Sequence, residues 1–367
     1  MDKLDQLRQW TQKQHLDVTY VSDPKNIEYY TGFGSDPLER TLGLFVFADA
    51  DPFIFAPALE VESIKGLNWP YDVYGYLDHQ EPYALISDYI KQRVKNPLKW
   101  AIEKPQLQVH RYEALIQNFP EASFDVNATD FIEHQRLYKS AAEIDLMMAA
   151  GAEADEAFRT AFKAISKDRT EQQIVAEIEY HMMKQGVMHM SFDTIVQSGA
   201  NAANPHGAAL PDKMTPNALV LFDLGTVHQG YNSDASRTVA FGKIDAKSKE
   251  IYDVCLEAQL TAMDAAKPGI TAAELDNVAR SIITKAGYGE YFNHRLGHGI
   301  GMTDHEYPSI MAGNDLVIEP GMCFSIEPGI YIPGVAGVRI EDCIHVTETG
   351  NVPFTKTSKD LLELPIV

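Results

Sequence analysis

Cysteine is scarce in this chain: Cys255, Cys323 and Cys343 are the only three among 367 residues. So few and so scattered, they exclude a disulfide framework and a zinc site built on thiolates, and they read as reduced, structural thiols. Basic residues are also in short supply, 31 against 52 acidic ones, for a formal charge of −21. A surface that acidic repels nucleic-acid phosphate and anionic lipid, which excludes both as partners, and it attracts metal cations. No apolar run approaches membrane-spanning length, and the polar, amphipathic segment MDKLDQLRQWTQKQHLDV lacks a signal-peptide core. The chain reads as a cytoplasmic protein.

What is present is ordinary globular material, 45% hydrophobic and 23% charged, in a length that suits two domains. Residues 1–125 alternate helix and strand signals. Residues 5–15 read as a surface helix and Val18–Val21 as a strand. Leu44–Phe47 and Phe53–Ala56 read as a hairpin, Ile86–Val94 as a helix and Trp100–Glu103 as a strand. Alternation of this kind predicts a small α/β domain, and it holds no catalytic constellation. The loop GFGSDPLER at 32–40 reads either as a lid or as a surface turn.

From residue 126 to 367 the pattern changes. Three capping boxes, Ser140-x-x-Glu143, Thr170-x-x-Gln173 and Thr271-x-x-Glu274, announce helices. Long amphipathic segments follow at about 141–165, 170–185, 247–266 and 272–286. Between and after them lie strand candidates at Phe192–Gln197, Ala218–Leu224, Tyr231–Phe241, Met322–Glu327 and Gly337–Thr347. Hairpins mixed with long helices predict an α+β domain with an antiparallel sheet.

The informative residues are acids within apolar strands. Asp223 ends ALVLFDLG, and Asp234 opens the following strand in GYNSDASRTVAF, so a hairpin brings them together. Glu327 in GMCFSIEPG and Glu341 in GVRIEDCIHV repeat the arrangement, which hints at an internal duplication. Period two places Arg339, Glu341 and Cys343 on one face of the last strand. Each acid alone has an ordinary explanation in a cap, a salt bridge or an exposed face. Four together would repel one another severely unless protonated or bound to cations, and metal is the economical reading. HRLGHGIGMTDHE adds His294, His298 and His305 in a glycine-rich loop. One imidazole with four carboxylates is a hard, oxygen-rich set that suits Mn²⁺, with Co²⁺, Fe²⁺ or Zn²⁺ feasible. Five protein ligands exceed the need of one catalytic ion and fit two, about 3.5–4 Å apart.

These residues carry a resemblance. Asp223, Asp234, His298, Glu327 and Glu341, in FDLG, SDASRT, GHGIG, SIEPG and VRIED, resemble the five-ligand signature of the methionine aminopeptidase, aminopeptidase P and prolidase superfamily. RLYKSAAEID at 136–145 resembles the entry to its catalytic domain, and residues 1–125 resemble the accessory domain of prolidases and aminopeptidases P. Over its whole length the chain resembles the Xaa-Pro dipeptidases of lactic acid bacteria. The resemblance implies a C-terminal pita-bread domain, of creatinase and aminopeptidase type, behind the smaller α/β domain. It implies two divalent ions per subunit, with Asp223 on the first, Asp234 and Glu341 bridging, and His298 and Glu327 on the second. It implies a homodimer and a dipeptide substrate with C-terminal proline, hydrolysed by a hydroxide that bridges the ions. Glu327 would accept the water proton, and His206 in NPHG and His305 in DHEYP would attend the scissile bond. Arg339 would either meet the substrate carboxylate or orient Glu341 or Asp223, and Arg295 is a second cation for that carboxylate. Aminopeptidase P activity on longer peptides is the nearest alternative. Methionine aminopeptidase leaves the accessory domain and Arg339 unexplained. A binding protein that has lost catalysis, or a metal-independent amidinohydrolase, would be expected to lack some of the five ligands.

Overall fold

The structure, a computed structural model, describes residues 2–367, which divide into two compact units between Gln135 and Arg136. The first unit is built on a six-stranded mixed sheet. Its spatial order is Asp72–Tyr76, Phe53–Pro57, Gly43–Phe47, Val18–Val21, Lys99–Ile102, Ser123–Asn127. The expected hairpin is present, with Leu44 opposite Ile54. Successive residues alternate between two cores: Leu44, Val46 and Ile54 join an aliphatic one, while Phe45, Phe47, Phe53 and Trp100 join an aromatic one. Burial on both faces explains why these strands read as unbroken apolar runs. In the 32–40 loop, Gly32 ends the helix Pro24–Thr31 at φ 73°, and Arg40 Nε donates to Asp78 Oδ1 at 2.9 Å.

In the second unit all three capping boxes form, at the starts of Ala141–Ala164, Glu171–Lys184 and Ala272–Lys285. The first two helices pack with a four-stranded sheet ordered Glu363–Leu364, Ala235–Phe241, Ala218–Leu224, Ile195–Ser198. The helices Ala246–Ala265 and Ala272–Lys285 pack with a five-stranded sheet ordered Glu306–Ile310, Gly297–Gly299, Cys323–Ile326, Asp342–Val346, Asn351–Pro353. Each half thus combines a helix pair with a largely antiparallel sheet.

One expectation is corrected in detail. The strand read at 322–327 is present as Cys323–Ile326, but the long strand read at 337–347 is broken. Cys323–Ile326 pairs with Asp342–Val346, whereas Gly329–Ile332 pairs with Ala336–Arg339 in a separate ladder. Glu327 follows the end of Cys323–Ile326, and Glu341 sits at the break. Their backbone amides leave the ladder to donate elsewhere, Glu327 N to Leu296 O at 2.9 Å and Glu341 N to Ser236 O at 3.1 Å. Pro328, which has no N–H, cannot continue the pairing. The three cysteines are buried and free, and burial pushes the Cys255 and Cys323 thiols up to about 12.

Candidate metal centre

The strand register builds the site. In the pairing of Ala218–Leu224 with Ala235–Phe241, Ser236 stands opposite Asp223, and Asp234 immediately precedes the paired run. His298 lies on the three-residue strand Gly297–Gly299, where a bulge falls between His298 and Gly299. Bulges re-aim side chains, and this one accompanies the turn of the imidazole toward the acids. The glycine at 297 has a packing reason: a Cβ there would lie 1.8 Å from the carbonyl oxygen of Ser325.

Eight of the residues singled out above, Asp223, Asp234, His298, Glu327, Glu341, His206, His305 and Arg339, line one cavity of about 470 Å³. Asp234, His298 and Glu341 form its tightest group, with donor atoms within 4.8 Å of one another. His298 Nδ1 lies 3.0 Å from Gly299 O, to which it donates, so Nε2 faces Glu327 Oε1 at 3.3 Å and Asp234 Oδ2 at 3.5 Å. Ser325 Oγ accepts from His298 N at 2.9 Å and donates to Glu327 Oε1 at 3.1 Å. Asp223 is outside the tight trio and is held by the guanidinium of Arg339. The rings of His298 and His305 lie 3.8 Å apart.

The electrostatics of this cavity favour a cation. Burial, and then the charges of their neighbours, push Asp234 and Glu341 well above the ordinary carboxylate range. Burial opposes ionisation of Glu327 too, but His298, His294 and Arg339 together hold it below that range. Among the described residues, Asp223 Oδ1, Asp234 Oδ1 and Glu341 Oε1 are buried without a hydrogen-bond partner. Three such oxygens facing one cavity are expensive unless something positive sits among them.

The sequence reading missed Ser236, Tyr331 and Ser325. Ser236 Oγ donates to Glu341 Oε2 at 2.7 Å and accepts from Arg339 Nε at 2.8 Å, tying the two hairpins together. Tyr331 OH accepts from Arg339 Nη1 at 2.9 Å and lies 3.1 Å from His294 Nε2. Only the register could have revealed Ser236, through its place opposite Asp223. The guanidinium nitrogens of Arg339 are engaged by Asp223, Ser236, Tyr331 and Pro205 O. Arg295 also lines the cavity, with Nη1 on Ser309 Oγ at 2.8 Å and Nη2 3.2 Å from His305 Nδ1.

Residues 145–348 match the model of metallopeptidase family M24, and residues 3–138 match that of the creatinase/prolidase N-terminal domain. The chain belongs to metallopeptidase family M24. An Xaa-Pro dipeptidase of Lactobacillus helveticus is 57% identical to it over 99% of both chains. Among solved structures, an Xaa-Pro dipeptidase from Bacillus anthracis superposes with a TM-score of 0.91 at 34% identity, covering 99% of both chains. A prolidase from Pyrococcus horikoshii OT3 gives 0.89 at 35% identity, covering 98% of this chain and 99% of that one. Membership of M24 implies divalent metal ions, and the cavity fits them. Its free donors are carboxylate oxygens and one imidazole nitrogen, a hard set, and three of those oxygens lack any other partner. No helix among the described residues is long and apolar enough to cross a membrane.

Proposed function

We propose that this chain is a cytoplasmic, homodimeric Xaa-Pro dipeptidase that hydrolyses dipeptides with C-terminal proline. Asp223, Asp234, His298, Glu327 and Glu341 would hold two divalent ions, with Mn²⁺ preferred for so oxygen-rich a donor set. The observation that carries the chemistry is the group of buried, unpartnered carboxylate oxygens around His298. The near-full-length likeness to the Lactobacillus helveticus enzyme carries the substrate class. When bound, the ions supply Lewis acidity, lowering the pKa of water and polarising a carbonyl.

The chain's own side chains do the rest. Glu327 is ionised at neutral pH and seated by Ser325, so its carboxylate can take a proton from water. Burial and the neighbouring His298 hold His305 below the ordinary histidine value, so it is neutral there. Arg295 only donates, so His305 Nδ1 accepts from it and the proton of the neutral ring sits on Nε2. That N–H can donate to a developing oxyanion or to the departing proline nitrogen, and His206 is the second such candidate. Arg339 holds Asp223 in place, and Arg295 is the lining cation left to meet a free substrate carboxylate.

The test is a chelator and metal add-back assay with Leu-Pro, a dipeptide lacking proline and an Xaa-Pro-Yaa tripeptide. Loss of Leu-Pro hydrolysis on chelation, recovery with Mn²⁺ and little turnover of the tripeptide are expected. Preference for the tripeptide would replace this reading with an aminopeptidase P, and undiminished activity in chelator would end it.

A further inference from the structure

The segment that carries His206 is irregular, and two buried side chains outside the proposed metal set hold it. After the strand Ile195–Ser198 comes a short 3-10 helix, Gly199–Ala203, and then residues 204–210 without helix or strand, where His206 is exposed. Chain of this kind has no ladder to fix it, so its geometry depends on whatever reaches its backbone.

Gln197, fully buried, is one such group. Its amide nitrogen donates to Asn204 O at 2.9 Å and to Gly207 O at 2.7 Å, using both N–H bonds to bracket His206. Glu171, in the first turn of its helix, is the other. Its carboxylate accepts from Ser198 N at 2.6 Å, Asn201 Nδ2 at 2.8 Å and Leu210 N at 2.7 Å, closing both ends of the excursion. The loop sits hard against Gln197: a Cβ on Gly207 would lie 2.5 Å from Gln197 Nε2 and 2.8 Å from Asn204 Cβ. Among the described residues, Gln197 Oε1 is buried without a hydrogen-bond partner. An apolar side chain of equal size would avoid that cost but could not grip the two carbonyls.

We propose that Gln197, assisted by Glu171, is a positioning residue that holds His206 at the cavity for the reaction. The proposal rests on the reading of His206 as a group that meets the substrate. Gln197 does not touch substrate, so its loss should act on kcat through a misplaced imidazole and leave KM nearly unchanged.

The experiment compares metal-loaded wild type with Gln197→Met, His206→Ala and the double variant, by kcat and KM for Leu-Pro and by hydrogen exchange over residues 199–210. Glu171→Gln is a second variant in the same exchange measurement. For Gln197→Met we expect roughly a tenfold fall in kcat, less than a twofold change in KM, and faster exchange confined to that segment. In the His206→Ala background the same substitution should cost less than about twofold more, because the group it positions is gone. Glu171→Gln should likewise speed exchange in that segment. Additive losses in the double variant overturn the positioning role alone, as does unchanged exchange in both Gln197→Met and Glu171→Gln. Full activity in His206→Ala overturns the role given to His206, and the proposal with it.

Discussion

Glu341 and Asp342 are adjacent and both buried, yet their carboxylates meet opposite surroundings. Asp342 faces away from the cavity into a completed network of Arg237 Nη2 at 2.8 Å, Thr355 Oγ1 and Lys359 Nζ. Asp155 is served as fully by Lys356 N, Thr357 N and Thr357 Oγ1. Glu341 has Ser236 on one oxygen and nothing on the other, and the cavity around it holds Asp223, Asp234 and Glu327 as well. The same residue chemistry, buried to the same depth, is matched internally on one side of the strand and left open on the other. Burial of charge alone therefore does not mark a site. Burial of charge left unmatched does.

Removing an acid from each side should have opposite consequences. Asp234→Asn is expected to lower kcat for Leu-Pro by roughly a thousandfold, the equivalent of several kcal/mol of charge stabilisation, and to reduce metal bound per chain. In chelator the same variant should melt higher than wild type, because a repelling charge is gone. Metal analysis and thermal melts in chelator check both, and a variant that keeps its metal and turnover breaks the comparison. Asp342→Ala should instead lose about 3–5 kcal/mol in denaturant unfolding, with or without metal, because Arg237 and Lys359 lose their buried counter-charge. A loss seen only with metal present would place Asp342 with the open group.

Acidity separates the two sides further. In metal-free protein Asp234 and Glu341 are raised above their ordinary values of 3.8 and 4.5. The folded state then binds more protons than the unfolded state between those values and the raised ones. The contribution to stability is therefore full at low pH and falls as pH rises through that window. With ions bound, protons compete for the same oxygens, and stability falls as pH drops. Melts at pH 5 and pH 8, with Mn²⁺ and with chelator, should show the gain from metal widening toward pH 8. A gain that is constant across pH would sink this account.

Much of this was legible in the sequence because the signals are local. The three capping boxes placed their helices, and Val18–Val21 and Ala218–Leu224 were read at their observed bounds. The break at Glu341 was not legible, since its amide donates to Ser236 O, remote in sequence. Arg339 and Glu341 both line the cavity although the ladder changes between them. The edge strand Asp72–Tyr76 escaped because Asp72 and Gly75 are exposed and its partner Phe53–Pro57 lies parallel, so neither alternation nor a turn announces it. The grip of Gln197 on the His206 loop depends on the chain folding back over ten residues, from 197 to 207, and no periodicity encodes it.

The smallest expected effect tests the matched side alone. Glu143, buried in the first turn of Ala141–Ala164, is satisfied by Ser140 N at 2.8 Å and by Tyr231 OH at 2.7 Å, and Tyr231 leads into the segment bearing Asp234. Tyr231→Phe deletes one donor to a carboxylate and should cost about 1.5–3 kcal/mol in denaturant unfolding, the range for a hydrogen bond to a charged group. The capping box survives, so the helix start is kept, and metal bound per chain should stay at the wild-type level. If the variant instead lost metal at unchanged stability, Glu143 would belong electrically to the cavity, and the division between matched and open carboxylates would have to be redrawn one strand further out.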